Sequence, residues 1–194
     1  MSHEKVKKPA KIKKYLFFFS KMCYNKGNVW KGESKMEKTI CFTGHRHIPD
    51  EDYDALKELL YCELEKQIQN GATRFRTGGA LGFDTLAALT VLLLKKRHPQ
   101  IQLELILPCP TQTQGWKQSD VLLYEQILEQ ADRHRYVSQF YFAGVLQMRN
   151  RALVEGADGC IAYLCNSQGG GTAFTASLAL KKGLEFVNLS EKLK

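Results

Sequence analysis

Most of the signatures by which a chain declares its chemistry are missing from this one. Its six cysteines form no C-x-x-C pair and no Cys/His cluster at metal-ligand spacing, so no metal site is expected. No export signal accompanies them, and unpaired thiols without one point to a reducing cytoplasm. No apolar stretch approaches the about 20 residues needed to cross a bilayer; the run LFFF at 16–19 is short even for a signal-peptide core. The glycines at 169–171 are followed by no lysine, which excludes a Walker A loop, and their spacing is not G-x-G-x-x-G. Internal repeats are absent. Beyond residue 35 net charge is absent too. Residues 1–35 hold ten Lys and two Glu, a surplus equal to the whole chain's +8, whereas residues 36–194 carry 18 groups of each sign. The globular part therefore lacks the basic footprint that phosphate-backbone binding requires.

What remains is a leader and one domain. Residues 1–35 show no helical or strand period and read as a basic leader or disordered tail outside the fold. Lys31-Gly-Glu-Ser-Lys-Met36 can be encoded by a purine run like a bacterial ribosome-binding site, so translation is expected to start at Met36. The competing reading is a basic arm for nucleic acid or an anionic membrane. Residues 36–194, with 44% hydrophobic and 25% charged residues in the chain overall, read as a single globular domain. Cys41, Cys109 and Cys160 lie in apolar runs and read as small buried hydrophobes. Cys160 and Cys165 are expected on opposite faces of one strand.

From Met36 onward the hydrophobic pattern alternates between two periods. Strands are expected at 39–42, 73–77, 101–107, 135–137, 159–164 and 185–189. Helices are expected at 52–70, 85–96, 119–131, 143–155 and 172–182. Asp84 reads as the N-cap of the second helix. Continuous apolar strands alternating with helices imply an α/β fold: a Rossmann-like, doubly wound, mainly parallel sheet with helices on both faces. In that architecture ligands sit outside the carboxyl ends of the strands. Every unusual cluster falls there: Thr43, Gly44, His45 and Arg46; Gly78, Gly79, Gly82 and Asp84; Pro108-Cys-Pro110; and Gly169, Gly170, Gly171 and Thr172.

The last cluster sits where a strand hands over to a helix, a place where free backbone N–H groups can be aimed at a phosphate. Arg46 can supply a bidentate fork to such an anion, or pair locally with Asp50. His45 or His47 is a candidate acid or base, although a lone His is usually structural. Asp84 opposes phosphate by charge and suits a cap or an acceptor for ribose hydroxyls. Arg149 and Arg151 do not share a helix face, so at most one reaches a given ligand, and Glu155 can pair with Arg151 at i+4. Trp116 reads as core or as a base-stacking ring.

Taken together, CFTGHR at 41–46, GGALGFD at 78–84, LPCP at 107–110, RNR at 149–151 and GGGT at 169–172 resemble the YpsA-like branch of the SLOG superfamily. The likeness spans about 36–189. The superfamily includes cytokinin-activating phosphoribohydrolases and the DNA-processing protein that loads recombinase on single strands. The resemblance implies a Rossmann-like domain that binds nucleotides or nucleotide-derived ligands. The phosphoribohydrolases carry a Pro-Gly-Gly-x-Gly-Thr-x-x-Glu pattern whose Glu works with an Arg on the N-glycosidic bond. Here Thr175 stands at the position of that Glu, and Gln168 at that of the Pro.

The expected function is therefore a cytosolic, nucleotide-binding sensor or regulator with its phosphate cradle at 43–46, 78–82 and 169–172. One alternative is a nucleoside-monophosphate N-glycosidase drawing its catalytic groups from Glu155, Asp84, Arg149 and Arg151. Another is single-stranded nucleic-acid binding through residues 1–35. No cofactor, metal or membrane partner is called for, and a homo-oligomer is left open.

Overall fold

The computed structural model describes residues 37–166 and 169–193; the readings of residues 1–35, Met36 and Gln168 fall outside them. Strand β1 (Lys38–Gly44) is apolar on both faces, as a central parallel strand must be. Helix α1 (Asp50–Gln69) opens on Asp50, Glu51 and Asp52, which complement the positive end of its dipole. Its stripe Leu56, Leu60, Leu64 and Ile68 is buried, and Gly71, at φ +89°, lets the chain turn out of it. Then follow β2 (Ala72–Thr77), α2 (Phe83–Lys95), β3 (Gln102–Leu107), α3 (Gln118–Gln130), β4 (Arg133–Tyr136), α4 (Val145–Val154), β5 (Gly159–Tyr163), α5 (Gly170–Lys181) and β6 (Glu185–Asn188). A 3₁₀ turn at Leu189–Lys192 follows β6.

The six strands form one sheet in the order β4-β3-β2-β1-β5-β6, and every pairing is parallel. The chain steps outward from β1 to β4, then crosses back to place β5 on the other side of β1. Right-handed crossovers then put α1, α2 and α3 on one face and α4 and α5 on the other. The alternation of β1 shows both layers. Ile40 and Phe42 enter the larger core with Leu56, Phe75, Phe83 and Tyr163. Cys41 enters the smaller one with Val154, Cys160 and Ala179. Phe42 stacks on Phe75 at 6.2 Å between ring centroids and meets Phe83 edge-on at 6.5 Å. Cys41 and Cys160 are register partners, both buried; their mutual hydrogen bond and then burial push the Cys160 thiol up, which keeps it unreactive.

The expected architecture stands, with local differences. Asp84 is not an N-cap: α2 starts at Phe83, one residue earlier, with Gly82 at the cap and no side-chain bond there. Cys165 lies beyond the end of β5 and is exposed, so strand alternation does not govern it. Strand β4 begins two residues before the expected 135. Its Arg133, His134 and Arg135 are exposed at the sheet edge, where apolar patterning has least hold. Trp116 is half-buried and packs edge-on against Tyr124 at 5.7 Å, as a core residue. Among the described residues no helix is long and apolar enough to cross a membrane.

Candidate functional site at the sheet switch point

The winding reverses between β1 and β5, and the carboxyl ends of these strands diverge there, as the rule for open α/β sheets anticipates. A cleft of about 300 Å³ opens at that point, lined by Thr43, Gly44, His45 and Arg46 after β1, by Gly169, Gly170, Gly171 and Thr172 at the start of α5, and by Ala80, Asp84, Leu146, Arg149 and Asn150.

The wall is tied together by side chain to backbone bonds. Thr172 Oγ1 donates to the Gly44 carbonyl at 2.9 Å, joining α5 to β1. Asn150 Nδ2 donates to the Gly171 carbonyl at 3.2 Å, and Thr175 Oγ1 donates to the same carbonyl at 2.8 Å. His45 Nε2 accepts the Cys165 N–H at 3.0 Å, which requires a neutral ring with its proton on Nδ1. That ring also meets Tyr163 edge-on at 5.9 Å, so His45 holds the loop after β5 in place. Gly169 and Gly170 sit at φ +79° and +83°, and among the described residues a Cβ on either would meet nothing within 4 Å. Their glycine character is a matter of backbone conformation, and it leaves the amino end of α5 open. Among the described residues no side chain caps that end, and its first N–H groups have no acceptor within the helix.

The floor is a buried ion pair. Arg149 Nη1 stands 3.5 Å from Asp84 Oδ2, with side chains only 11% and 5% exposed. The Asp84 carboxylate also accepts the Ala80 N–H at 3.2 Å. Burial pushes the Asp84 carboxyl up, against the opposing pull of Arg149, the Ala80 and Gly78 N–H groups and Arg46. Burial likewise lowers the Arg149 guanidinium, Asp84 raises it, and the like charge of Arg46 lowers it further. Both shifts run toward the neutral forms, so the pair is under-compensated. Among the described residues Arg149 Nε is buried with no hydrogen-bond partner, and Arg46 forms no ion pair. Two cations thus feel each other across a cleft that ends at a helix N-terminus.

The other expected residues are elsewhere. Gly78, Gly79 and Gly82 do not line the cleft; they make room for its builders. A Cβ at Gly78 would collide with the Arg149 guanidinium, and one at Gly82 with the Arg46 backbone. A Cβ at Gly79, at φ +63°, would press on Leu107 on the far side. Gly44 lines the cleft, and a Cβ there would strike Phe83. Arg151 lies outside, with its guanidinium 5.5 Å over the Phe174 ring. Glu155 also lies outside and accepts from Lys182 Nζ at 2.9 Å rather than pairing with Arg151. His47 is exposed and is not part of the cleft lining. Asn150 is the residue that sequence reasoning passed over: it sat between two arginines that drew attention as cations.

Fold and cleft together define a Rossmann-like domain with a recess at its switch point. A sequence model of the YspA SLOG family matches residues 40–186, and this chain belongs to that family. It is 31% identical over 129 residues to a UPF0398 protein of Brevibacillus brevis, covering 66% of this chain and 69% of that one. A UPF0398 protein of Halalkalibacterium halodurans is also 31% identical, over 66% and 68% of the two chains. Among solved structures, DNA processing protein A from Helicobacter pylori, studied for its single-stranded DNA binding mode, superposes with a TM-score of 0.54 at 20% identity. That match covers 77% of this chain and 63% of the other, so the two share a fold over less than two thirds of the longer protein.

Proposed function

We propose that the domain binds the phosphate of a nucleotide or nucleotide-derived small molecule in the switch-point cleft, as a cytosolic sensor or regulator. The observation that carries this reading is Arg149: a buried cation whose Nε has no hydrogen-bond partner among the described residues, facing Arg46, beside the amino end of α5. A phosphate would supply acceptors to both guanidiniums and to the free N–H groups of Gly170 and Gly171. The volume of about 300 Å³ lies at the low end for ligand sites and suits a mononucleotide better than a dinucleotide. Thermal-shift and calorimetric titration with a panel of nucleotides tests it. A ligand present at about 100 times its Kd stabilises by about 2.7 kcal/mol; no shift with any nucleotide or with inorganic phosphate overturns the reading.

One observation favours catalysis as a second reading. Asp84, a carboxyl pushed up by burial, lines the cleft together with Arg149. As an N-glycosidase the domain would use this pair, since Glu155 and Arg151 lie outside and the Thr175 hydroxyl is bonded to Gly171. Release of free base from nucleoside monophosphates, abolished in Asp84→Asn, supports it; intact nucleotide after prolonged incubation refutes it.

A further inference from the structure

Strand β4 closes one edge of the sheet and pairs only with β3. The Val137 N–H donates to the Leu107 carbonyl at 2.8 Å, continuing the ladder in which Tyr136 stands across from Leu107. Backbone groups alternate sides along a strand, so Arg133 and Arg135 turn theirs toward β3, and His134 turns its N–H and C=O outward. The side chains alternate as well. His134 and Tyr136 share one face, with their rings 5.9 Å apart, and Arg133 and Arg135 stand together on the other. Both arginines are exposed, and among the described residues neither forms an ion pair or a side-chain hydrogen bond. The nearby carboxylates are taken. Glu104, across the ladder from Arg133, is held by Arg76 at 2.6 Å. Asp132 is held by Lys95 and accepts the Leu103 N–H at 2.9 Å.

The chain leaves this edge directly into three exposed aromatics: Phe140 at 79%, Tyr141 at 66% and Phe142 at 45%. Ser138 Oγ accepts the Phe140 N–H at 3.1 Å and donates to the Phe140 carbonyl at 2.7 Å, which fixes the first of them just beyond the strand. Five residues separate it from Arg135, at most about 18 Å. Cations on an edge strand by themselves read as protection against unwanted pairing. Protection does not account for an apolar cluster exposed beside them. We propose that the β4 edge docks an extended acidic segment of another protein, which adds a strand beside His134, sets carboxylates two residues apart next to Arg133 and Arg135, and rests an aromatic residue on Phe140 and Tyr141. A second copy of this chain is a poor occupant: joined antiparallel about His134, it would set Arg133 against the other copy's Arg135. A polynucleotide would leave the outward backbone groups unpaired and find two cations where it needs a track. The surface shares no residue with the cleft lining.

Fluorescence anisotropy on the full chain tests this with the fluorescein-labelled peptide FGEVEVEGF, which carries a ring at each end and so serves either strand direction. Wild-type protein is expected to bind it at least about tenfold tighter than FGKVKVKGF, and at least about tenfold tighter than FGEPEPEGF, which keeps the charge and cannot donate to a ladder. Arg133→Glu combined with Arg135→Glu should invert the preference for acid over base. Phe140→Ala combined with Tyr141→Ala should weaken the acidic peptide at least about fivefold. All four side chains are exposed, so the variants should keep the wild-type melting temperature; if the charge reversal unfolds the chain, Arg133→Gln combined with Arg135→Gln should abolish the preference instead. No binding of the acidic peptide, equal binding of the basic or the proline peptide, or affinity unchanged in the arginine variants overturns the proposal. So does tighter binding of single-stranded oligothymidylate at this edge, lost in the same variants, which would make the occupant a nucleic acid.

Discussion

Replacing Asp84 by Asn tests whether the cleft floor is a coupled buried charge pair. The substitution keeps size and removes the only carboxylate in contact with Arg149 among the described residues. Arg149 would then be a cation with an 11% exposed side chain and no counter-charge. Breaking a buried pair from one side costs about 3–5 kcal/mol, whereas replacing both partners by neutral groups is often close to neutral. Urea denaturation of Asp84→Asn should therefore show a loss of about 3 kcal/mol, with a similar loss in Arg149→Met. The double variant should lose less than either single one, so the coupling energy in the double-mutant cycle should be at least about 3 kcal/mol. Independent sites instead add to within about 0.5 kcal/mol, and that outcome refutes the argument. A further measurement links stability to ligand. A bound phosphate would replace Asp84 as the partner of Arg149, so saturating nucleotide should recover part of the Asp84→Asn loss through mass action. If nucleotide stabilises wild type and Asp84→Asn equally, Arg149 does not touch the anion.

Three other outcomes follow from the same geometry. Gly170→Asp should cut nucleotide affinity by more than about 100-fold in calorimetry by placing a carboxylate beside the amino end of α5. Its Cβ meets nothing within 4 Å, so only the φ of +83° is costly, by about 1–2 kcal/mol. Gly170→Ala bears that same backbone cost and separates it from the charge. The salt dependence of nucleotide binding should be shallow, less than about tenfold between 50 and 200 mM, against the about 10³–10⁵ expected of a protein that covers many phosphates; a steep slope points to a polynucleotide. At the opposite end of the sheet, Lys38 at 2.7 Å and Gln67 at 3.0 Å hold the Glu185 carboxyl below its usual range. Its folded-state value is depressed, so its stabilising contribution is present above about pH 4.3 and is lost as pH falls through the folded value. Glu185 is 45% exposed, which limits that contribution to below about 1 kcal/mol. Glu185→Gln should flatten the acid limb of the stability profile by that amount, and an unchanged limb refutes the assignment.

The sheet was readable from sequence because its information is local. Ile40, Cys41 and Phe42 form a continuous apolar run because both faces of a central strand are covered, and Leu56, Leu60, Leu64 and Ile68 repeat at helical spacing because one face is. The site was only half readable. Gly169 and Gly170 announce a positive-φ turn, and their role can be judged from the turn alone. Gly78 and Gly82 look the same in sequence, yet what demands glycine there is the guanidinium of Arg149 and the backbone of Arg46, partners that only the fold brings near. Glu155 invited a pairing with Arg151 by helix spacing and went instead to Lys182 on the neighbouring helix. In each case a local rule was outweighed by a tertiary contact. Asn150 carried no signal of its own, because a buried amide that holds a carbonyl has no characteristic spacing.

The placement of charge separates a small anion from a long one. A protein that follows a nucleic-acid backbone needs cations along a track, because phosphates recur at fixed intervals and each released counterion contributes. Here the charges of 36–194 cancel, and several arginines of the sheet are already engaged: Arg74 by Glu37 and Arg76 by Glu104. The cations that line the cleft, Arg46 and Arg149, converge on one recess with the amino end of α5 and an acid between them. Convergent charge in a recess of that size concentrates potential at a point. Under the proposed reading, that arrangement suits one phosphate group and not a second a nucleotide's length away. Asp84 lies with the two arginines, drawn toward its ionised form by Arg149 and Arg46 against the effect of burial.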